Sequence, residues 1–173
     1  AHSLLQQVNR NEVPEELIPD EWPNGKKISL YRIQLPVDVV CAPKNGNETY
    51  ADDTLKIEKV NGRHNLCSGQ EAILDIGPYT IKLYQEILKK ARTIFWNGPM
   101  GLFENFDFAS GTKAVAEAVA ASNGYSVIGG GDTEGVVSRF HLDGKFGHVS
   151  TGGGASLELL AGLELPVLKY LKK

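Results

Sequence analysis

The sequence predicts an α/β fold in which a doubly wound parallel sheet is covered by helices on both faces. Three observations carry this expectation. From residue 72 onward, short apolar runs alternate with longer segments whose apolar residues recur at helical spacing, the order that parallel βαβ units require. These runs lack a clean inward–outward alternation, as suits strands buried on both faces. Two triple-glycine stretches, Gly129-Gly130-Gly131 and Gly152-Gly153-Gly154, each stand between an apolar run and a helix-like segment.

Taken in order, residues 1–26 are weakly organised. Leu4, Leu5 and Val8 fit one helical face, and Pro14, Pro19 and Pro23 then break the chain into turns. Residues 28–33 read as a strand and residues 38–42 as a second, short one. Residues 43–70 are polar and rich in Asn, Asp and Gly, which suits a surface excursion. Within it, Leu55 to Val60 alternates with period two, as an edge strand does. Ala72 to Ile76 is the next strand. Pro78, a good first-turn residue, then opens a helix with Ile81, Tyr84, Leu88 and Ala91 on one face. Thr93 to Trp96 is a strand, and Phe108, Thr112, Val115 and Val119 mark a helix stopped near Asn123-Gly124. Ser126 to Ile128 is a strand, followed by a helix that starts near Asp132 and carries Val136, Val137 and Phe140. A last strand forms around Val149, and Ser156 to Leu160 is a helix closed by Gly162.

The 173 residues suffice for one well-buried domain or two very small ones. A net charge of −3 argues against nucleic acid as a main partner, because binding a phosphate backbone needs a basic surface. No apolar stretch reaches the roughly 20 residues that span a bilayer, and the first ten residues do not resemble a secretory signal. Cys41 and Cys67 have no Cys-x-x-Cys spacing, so neither a disulfide framework nor a structural zinc site is expected. Together these features favour a cytoplasmic protein that associates with no membrane. Asn47-Glu-Thr49 matches a glycosylation acceptor but carries little weight in such a chain.

Several segments invite a chemical reading. A strand that feeds a helix through glycines aims free N–H groups and the positive helix end at an anion. In a doubly wound sheet the ligand lies outside the carboxyl ends of the strands, where loops 97–101, 129–133 and 151–154 converge. Asp132 is either a helix N-cap or a ligand to a Mg²⁺ that bridges phosphates, and Thr133 is placed to bond a terminal phosphate. Gly152 to Gly154 serve either close helix–strand packing or a cradle for a phosphoryl group in transfer. Asn97 can present its amide to phosphate, while Gly98 and Gly101 let the chain turn tightly. Leu102 and Phe103 offer an apolar wall for a base, and Glu104 can accept bonds from ribose hydroxyls. Asp75 fits a cap for the helix after Pro78 better than a metal ligand. His148 reads as a packed or hydrogen-bonded residue before it reads as an acid or base. A P-loop and a Gly-x-Gly-x-x-Gly fingerprint are both absent.

Five motifs in fixed order carry a resemblance: Leu35-Pro-Val-Asp38, Leu74-Asp-Ile-Gly-Pro78, Trp96-Asn-Gly-Pro-Met-Gly-Leu-Phe-Glu104, Gly129-Gly-Gly-Asp-Thr133, and His148 through Leu160. From about residue 33 to Pro166 the chain resembles the C-terminal part of the phosphoglycerate kinase family, glycolytic enzymes of two doubly wound domains. The family transfers a phosphoryl group between 1,3-bisphosphoglycerate and Mg-ADP. The resemblance implies that residues 1–173 are a partial nucleotide-binding domain and that the protein is a monomer. Asp132 would hold the metal of the nucleotide, Thr133 and Asn97 would contact phosphates, and Leu74 and Leu102 would line the adenine site. Glu104 would meet the ribose. Gly98, Pro99, Gly101, Gly129, Gly130 and Gly131 would complete the nucleotide loops, and Gly152, Gly153 and Gly154 would support the phosphoryl group in transit.

The departures from the family pattern are large. The substrate domain with its basic cluster has no counterpart, nor do the lysines expected to neutralise the phosphates or a glycine-rich segment beside the adenine. Residues 1–27 align with nothing expected. Phosphoryl transfer rests on positioning and charge neutralisation. The expectation is therefore a Mg-ADP or Mg-ATP half-site, inactive alone, with 3-phosphoglycerate reached only through the missing domain. A non-catalytic nucleotide module and a structural fragment with an unpaired sheet edge are the alternatives.

Overall fold

The computed structural model describes residues 33–44, 55–60, 67 and 69–171. The helical face of Leu4 to Val8, the prolines at 14, 19 and 23, and the Asn47 acceptor lie outside these residues. Of the strand expected over 28–33 only Ile33 is described, and it lies in a bend.

Among the described residues two three-stranded sheets form the frame. The first comprises β1 (Asp38–Pro43), β2 (Lys56–Lys59) and β3 (Glu71–Ile76) in the order β2-β1-β3, with both pairings antiparallel. The second comprises β4 (Thr93–Asn97), β5 (Tyr125–Gly129) and β6 (His148–Ser150) in the order β4-β5-β6, all parallel. The α/β class therefore stands, with its parallel sheet. The Ala72–Ile76 run, however, joins the antiparallel sheet. Among the described residues no helix stands between β1 and β3, and the two strands pair antiparallel. The period-two segment from Leu55 forms the edge strand β2, exposed along its length.

Among the described residues five helices follow: α1 (Pro78–Lys90), α2 (Ser110–Ala121), α3 (Gly131–Arg139), α4 (Gly153–Leu160) and the short α5 (Leu168–Leu171). The expected faces are the observed ones. Ile81, Tyr84, Leu88 and Ala91 of the α1 segment pack on a core that includes Ile94, Trp96, Val115, Val119, Ile128 and Val136. Phe108 and Thr112 are wholly buried, although Phe108 sits in a 3₁₀ turn (Phe106–Phe108) that precedes α2. Gly162, at φ +77, ends α4 with its own N–H donating to Leu159 O at 3.0 Å and the Leu163 N–H to Glu158 O at 3.0 Å. That paired bonding is how a left-handed residue satisfies the last carbonyls of a helix. The apolar residues of α4 itself, Leu157, Leu159 and Leu160, are exposed.

One expectation is overturned: Cys41 and Cys67 form a disulfide across a sequence separation of 26. Their spacing carries no local signature, and the antiparallel reversal is what brings the loop before β3 back beside β1. The bond ties the end of the surface excursion to a buried strand residue.

Candidate nucleotide site

Two buried aspartates fix the helices that frame the site. The Asp38 carboxylate accepts N–H bonds from Tyr79 (3.0 Å) and Thr80 (2.7 Å) and the Thr80 hydroxyl (2.6 Å), capping α1 from β1. Asp75 accepts from Ile76 N (2.8 Å) and Gly111 N (2.7 Å). Asp75 is a cap, as expected, but for α2 rather than for the helix after Pro78. Burial raises its pKa above the ordinary 3.8, partly offset by the two N–H donors. Sequence reasoning left Asp38 without a role, because its helix lies about forty residues on and only the fold joins them.

The parallel strands end in one row. Asn97 pairs with Gly129, and Gly129 with Ser150, so loops 97–101, 129–133 and 151–154 leave the same carboxyl edge side by side. The Gly130 N–H donates to Ser150 O at 3.2 Å and the Gly98 N–H to Thr133 Oγ1 at 2.7 Å, lacing the three loops together. Trp96 Nε1 donates to Gly98 O at 2.7 Å and steadies the first loop from below. Gly130 has φ +92, a conformation that a side chain would strain. Gly153 is buried, and a Cβ there would stand 2.6 Å from Gly130 Cα and 2.9 Å from Asn97 Oδ1. Gly152 and Gly154 on either side are exposed. Within the second triple-glycine stretch, Gly153 serves close packing, and Gly152 and Gly154 lie exposed at the start of α4.

Asp132 occupies the first turn of α3, exposed, whereas Gly130 is the N-cap and receives no side-chain bond. The cap reading of Asp132 is thereby overturned: Gly130, by adopting positive φ, takes the boundary position, and the Asp132 carboxylate is free to face outward. Among the described residues no group of three or more His, Cys, Asp or Glu could hold a metal by itself. One exposed carboxylate fits Mg²⁺ that arrives shared with phosphate oxygens, the usual mode for this ion. Thr133 is buried, its hydroxyl oxygen accepting from Gly98. None of the three loops carries a lysine or arginine.

Beyond the row, loop 97–101 runs into the wall of a groove of about 540 Å³. Leu74, Pro99, Gly101, Leu102 and Glu104 line it together, with Val39 and Ile73 from the antiparallel sheet. The groove wall is anchored by a register shift: Val40 pairs with Asp75 and Cys41 with Ile73, leaving Leu74 as an extra residue on β3. Such a bulge re-aims a residue out of the ladder. Leu74 O accepts the Leu102 N–H at 2.8 Å, joining the two residues expected to line the adenine site. Thr112 Oγ1 accepts from Met100 N (3.0 Å) and Gly101 N (3.2 Å), a support the sequence did not single out. Its position on the buried face of α2 was visible, but its partners were not. Phe103 is buried in the core behind the groove. His148 is exposed at the amino end of β6, two residues before the row, and is not packed.

The family model described as "Phosphoglycerate kinase" matches residues 19–163, starting earlier than the motifs alone indicate. A phosphoglycerate kinase from Pseudothermotoga lettingae is 59% identical over 98 residues, 57% of this chain and 25% of the relative. One from a Mycobacterium species is 46% identical over 148 residues, covering 81% of this chain and 33% of the relative. Among solved structures, phosphoglycerate kinase from Coxiella burnetii has a TM-score of 0.68 at 41% identity, covering 79% of this chain and 33% of that one. The enzyme from Pyrococcus horikoshii has a TM-score of 0.65 at 40% identity, with 80% and 32% covered. The chain thus spans about a third of the length of the relatives it matches most broadly.

Proposed function

The chain belongs to the phosphoglycerate kinase family, and from that premise we propose that it provides the Mg-ADP/Mg-ATP side of phosphoryl transfer to and from 3-phosphoglycerate. The observation that carries the reading is the single row Asn97–Gly129–Ser150, from which three glycine-bearing loops open beside a groove suited to a nucleoside.

In this reading Leu74 and Leu102 hold the base, Glu104 accepts bonds from the ribose, and Pro99 and Gly101 shape the loop between groove and phosphates, Gly101 packing closely on Asp75 and Leu74. The Asn97 amide and the first-turn N–H groups of α3 meet the phosphates. Asp132 would hold the Mg²⁺ of the nucleotide, and that ion would supply charge neutralisation to its phosphates. The first turn of α4, from Gly152 to Gly154, presents N–H donors and a helix dipole to the phosphoryl group as charge develops on it. Thr133, wholly buried, positions Gly98 through its hydroxyl oxygen.

The loops supply no cation, and phosphoryl transfer gains most of its rate from positioning and charge neutralisation. The chain alone is accordingly proposed to bind nucleotide without turnover, 3-phosphoglycerate being met by another part of the enzyme. A cytoplasmic, monomeric protein follows from the same reading. Calorimetric titration with Mg-ADP tests it: heat that disappears in Asp132→Ala supports a metal–nucleotide half-site. No heat at millimolar nucleotide would favour a structural fragment, and turnover by the 173-residue chain would sink the claim of inactivity.

A further inference from the structure

Arg139, the last residue of α3, plays no part in the site as described, yet it is tied to the loop that carries Glu104. Its Nη2 donates to the backbone carbonyl of Glu104 at 3.1 Å, across 35 positions of sequence. Its guanidinium carbon lies 4.4 Å from the centroid of the Phe106 ring, a cation–π distance. Its Nε is buried and has no partner among the described residues, so the side chain is held at some cost in one place rather than left in solvent. Phe106 is 78% exposed, and the Arg139 contact gives this otherwise unaccounted aromatic a structural use.

The same helix meets the same loop at its other end, where Thr133 accepts the Gly98 N–H. Helix α3 is thus clamped to segment 98–106 at its first and last turns, and its rigid length sets the distance between them. We propose that Arg139 is a positioning residue for nucleotide recognition, holding the Leu102–Glu104 wall of the groove in register with the phosphate-binding first turn of α3. The bond goes to the carbonyl of Glu104, which leaves its carboxylate to face a ribose. A lysine could not supply both the planar stack and the fork donor. This inference rests on the nucleotide reading given above.

The test compares Arg139→Met and Phe106→Leu with the unsubstituted chain by calorimetry. The ligands are Mg-ADP, Mg-2′,3′-dideoxy-ADP and Mg-tripolyphosphate. Both variants are expected to bind Mg-ADP more weakly, Arg139→Met by about tenfold, as the loss of a stacked, charge-assisted contact implies. Tripolyphosphate, with neither ribose nor base, should bind unchanged, and the preference for ADP over its dideoxy analogue should collapse. Hydrogen exchange of amides 102–108 should rise in both variants while that of 125–133 stays constant. Unaltered ADP binding and exchange in both variants overturn the role of Arg139 alone. Equal loss of ADP and tripolyphosphate also overturns it, as a general loss of fold. If the unsubstituted chain binds none of the three ligands, the nucleotide reading fails and the inference with it.

Discussion

Gly98 and Thr133 are 35 positions apart in sequence, yet the N–H of one donates to the hydroxyl of the other at 2.7 Å. Through this bond the loop after β4 and the first turn of α3 become one surface. The groove proposed for a nucleoside and the helix start proposed for phosphates are then parts of a single rigid frame. An anion reaching the α3 N-terminus meets a loop already held in place, so little ordering entropy remains to be lost on binding.

Thr133→Val should therefore uncouple the two loops. It keeps the shape but leaves the partly buried Gly98 N–H without an acceptor, which costs about 1–3 kcal/mol. Urea unfolding is expected to show that loss, and Mg-ADP affinity should fall with it. Thr133→Ser, which retains the hydroxyl, should recover most of both. Equal stability of the valine and serine variants would refute the coupling.

The second triple glycine separates packing from openness within two residues. A Cβ at Gly153 would lie 2.6 Å from Gly130 Cα and 2.7 Å from Gly130 N, backbone atoms that cannot swing aside. A Cβ at Gly154 meets nothing within 4 Å. Gly153→Ala should destabilise the fold by about 1–3 kcal/mol through overpacking and should spread the β5 and β6 loops. Gly154→Ala should be neutral or stabilising by up to about 1 kcal/mol, since alanine suits a helix better than glycine. Thermal melts of the two variants decide the matter, and a reversed order would contradict the arrangement.

Much of this was readable from the chain because it depends on local pattern. The faces of α1 and α2, the three glycine-bearing loops and their shared sheet edge all follow from periodicity and from where a strand meets a helix. What escaped depends on partners distant in sequence. Asp38 caps α1 from a strand about forty residues earlier, Asp75 caps α2 rather than α1, and the Leu74 bulge exists only once β3 pairs with β1. The antiparallel sheet escaped for a related reason: residues 43–70 are polar and carry no period that would set the direction of the strands on either side. Asp132 looked like a cap on residue type alone, but Gly130 took the boundary position by adopting a positive φ.

The Cys41–Cys67 bond closes a loop with a sequence separation of 26, and for a loop of that size the chain-entropy model gives about 3–4 kcal/mol of stabilisation. Reduction should lower the urea midpoint accordingly, and Cys67→Ser should match the reduced chain without further change on adding reductant. Alkylation of the unreduced, unfolded protein should add no mass. Two alkyl groups on protein isolated without reductant would show that the thiols are free where the protein works, the condition a cytoplasmic location favours.

Asp75 makes the stability of the fold depend on pH in an unusual direction. Most carboxylates held by N–H donors stabilise more as pH rises, but burial here outweighs the Ile76 and Gly111 donors and raises the folded pKa above the ordinary 3.8. Between these two pKa values the folded chain binds the proton that the unfolded chain has released. The Asp75 contribution is therefore fully present below 3.8 and declines as pH rises through the folded pKa. Asp75→Asn removes the titration, at the cost of turning one N–H acceptor into a donor. Measured by urea unfolding at successive pH values, the stability advantage of the unsubstituted chain over Asp75→Asn should shrink as pH rises through that window and then level off. An advantage that grew with pH would mean that the Gly111 and Ile76 donors dominate burial and that Asp75 is an ordinary stabilising carboxylate.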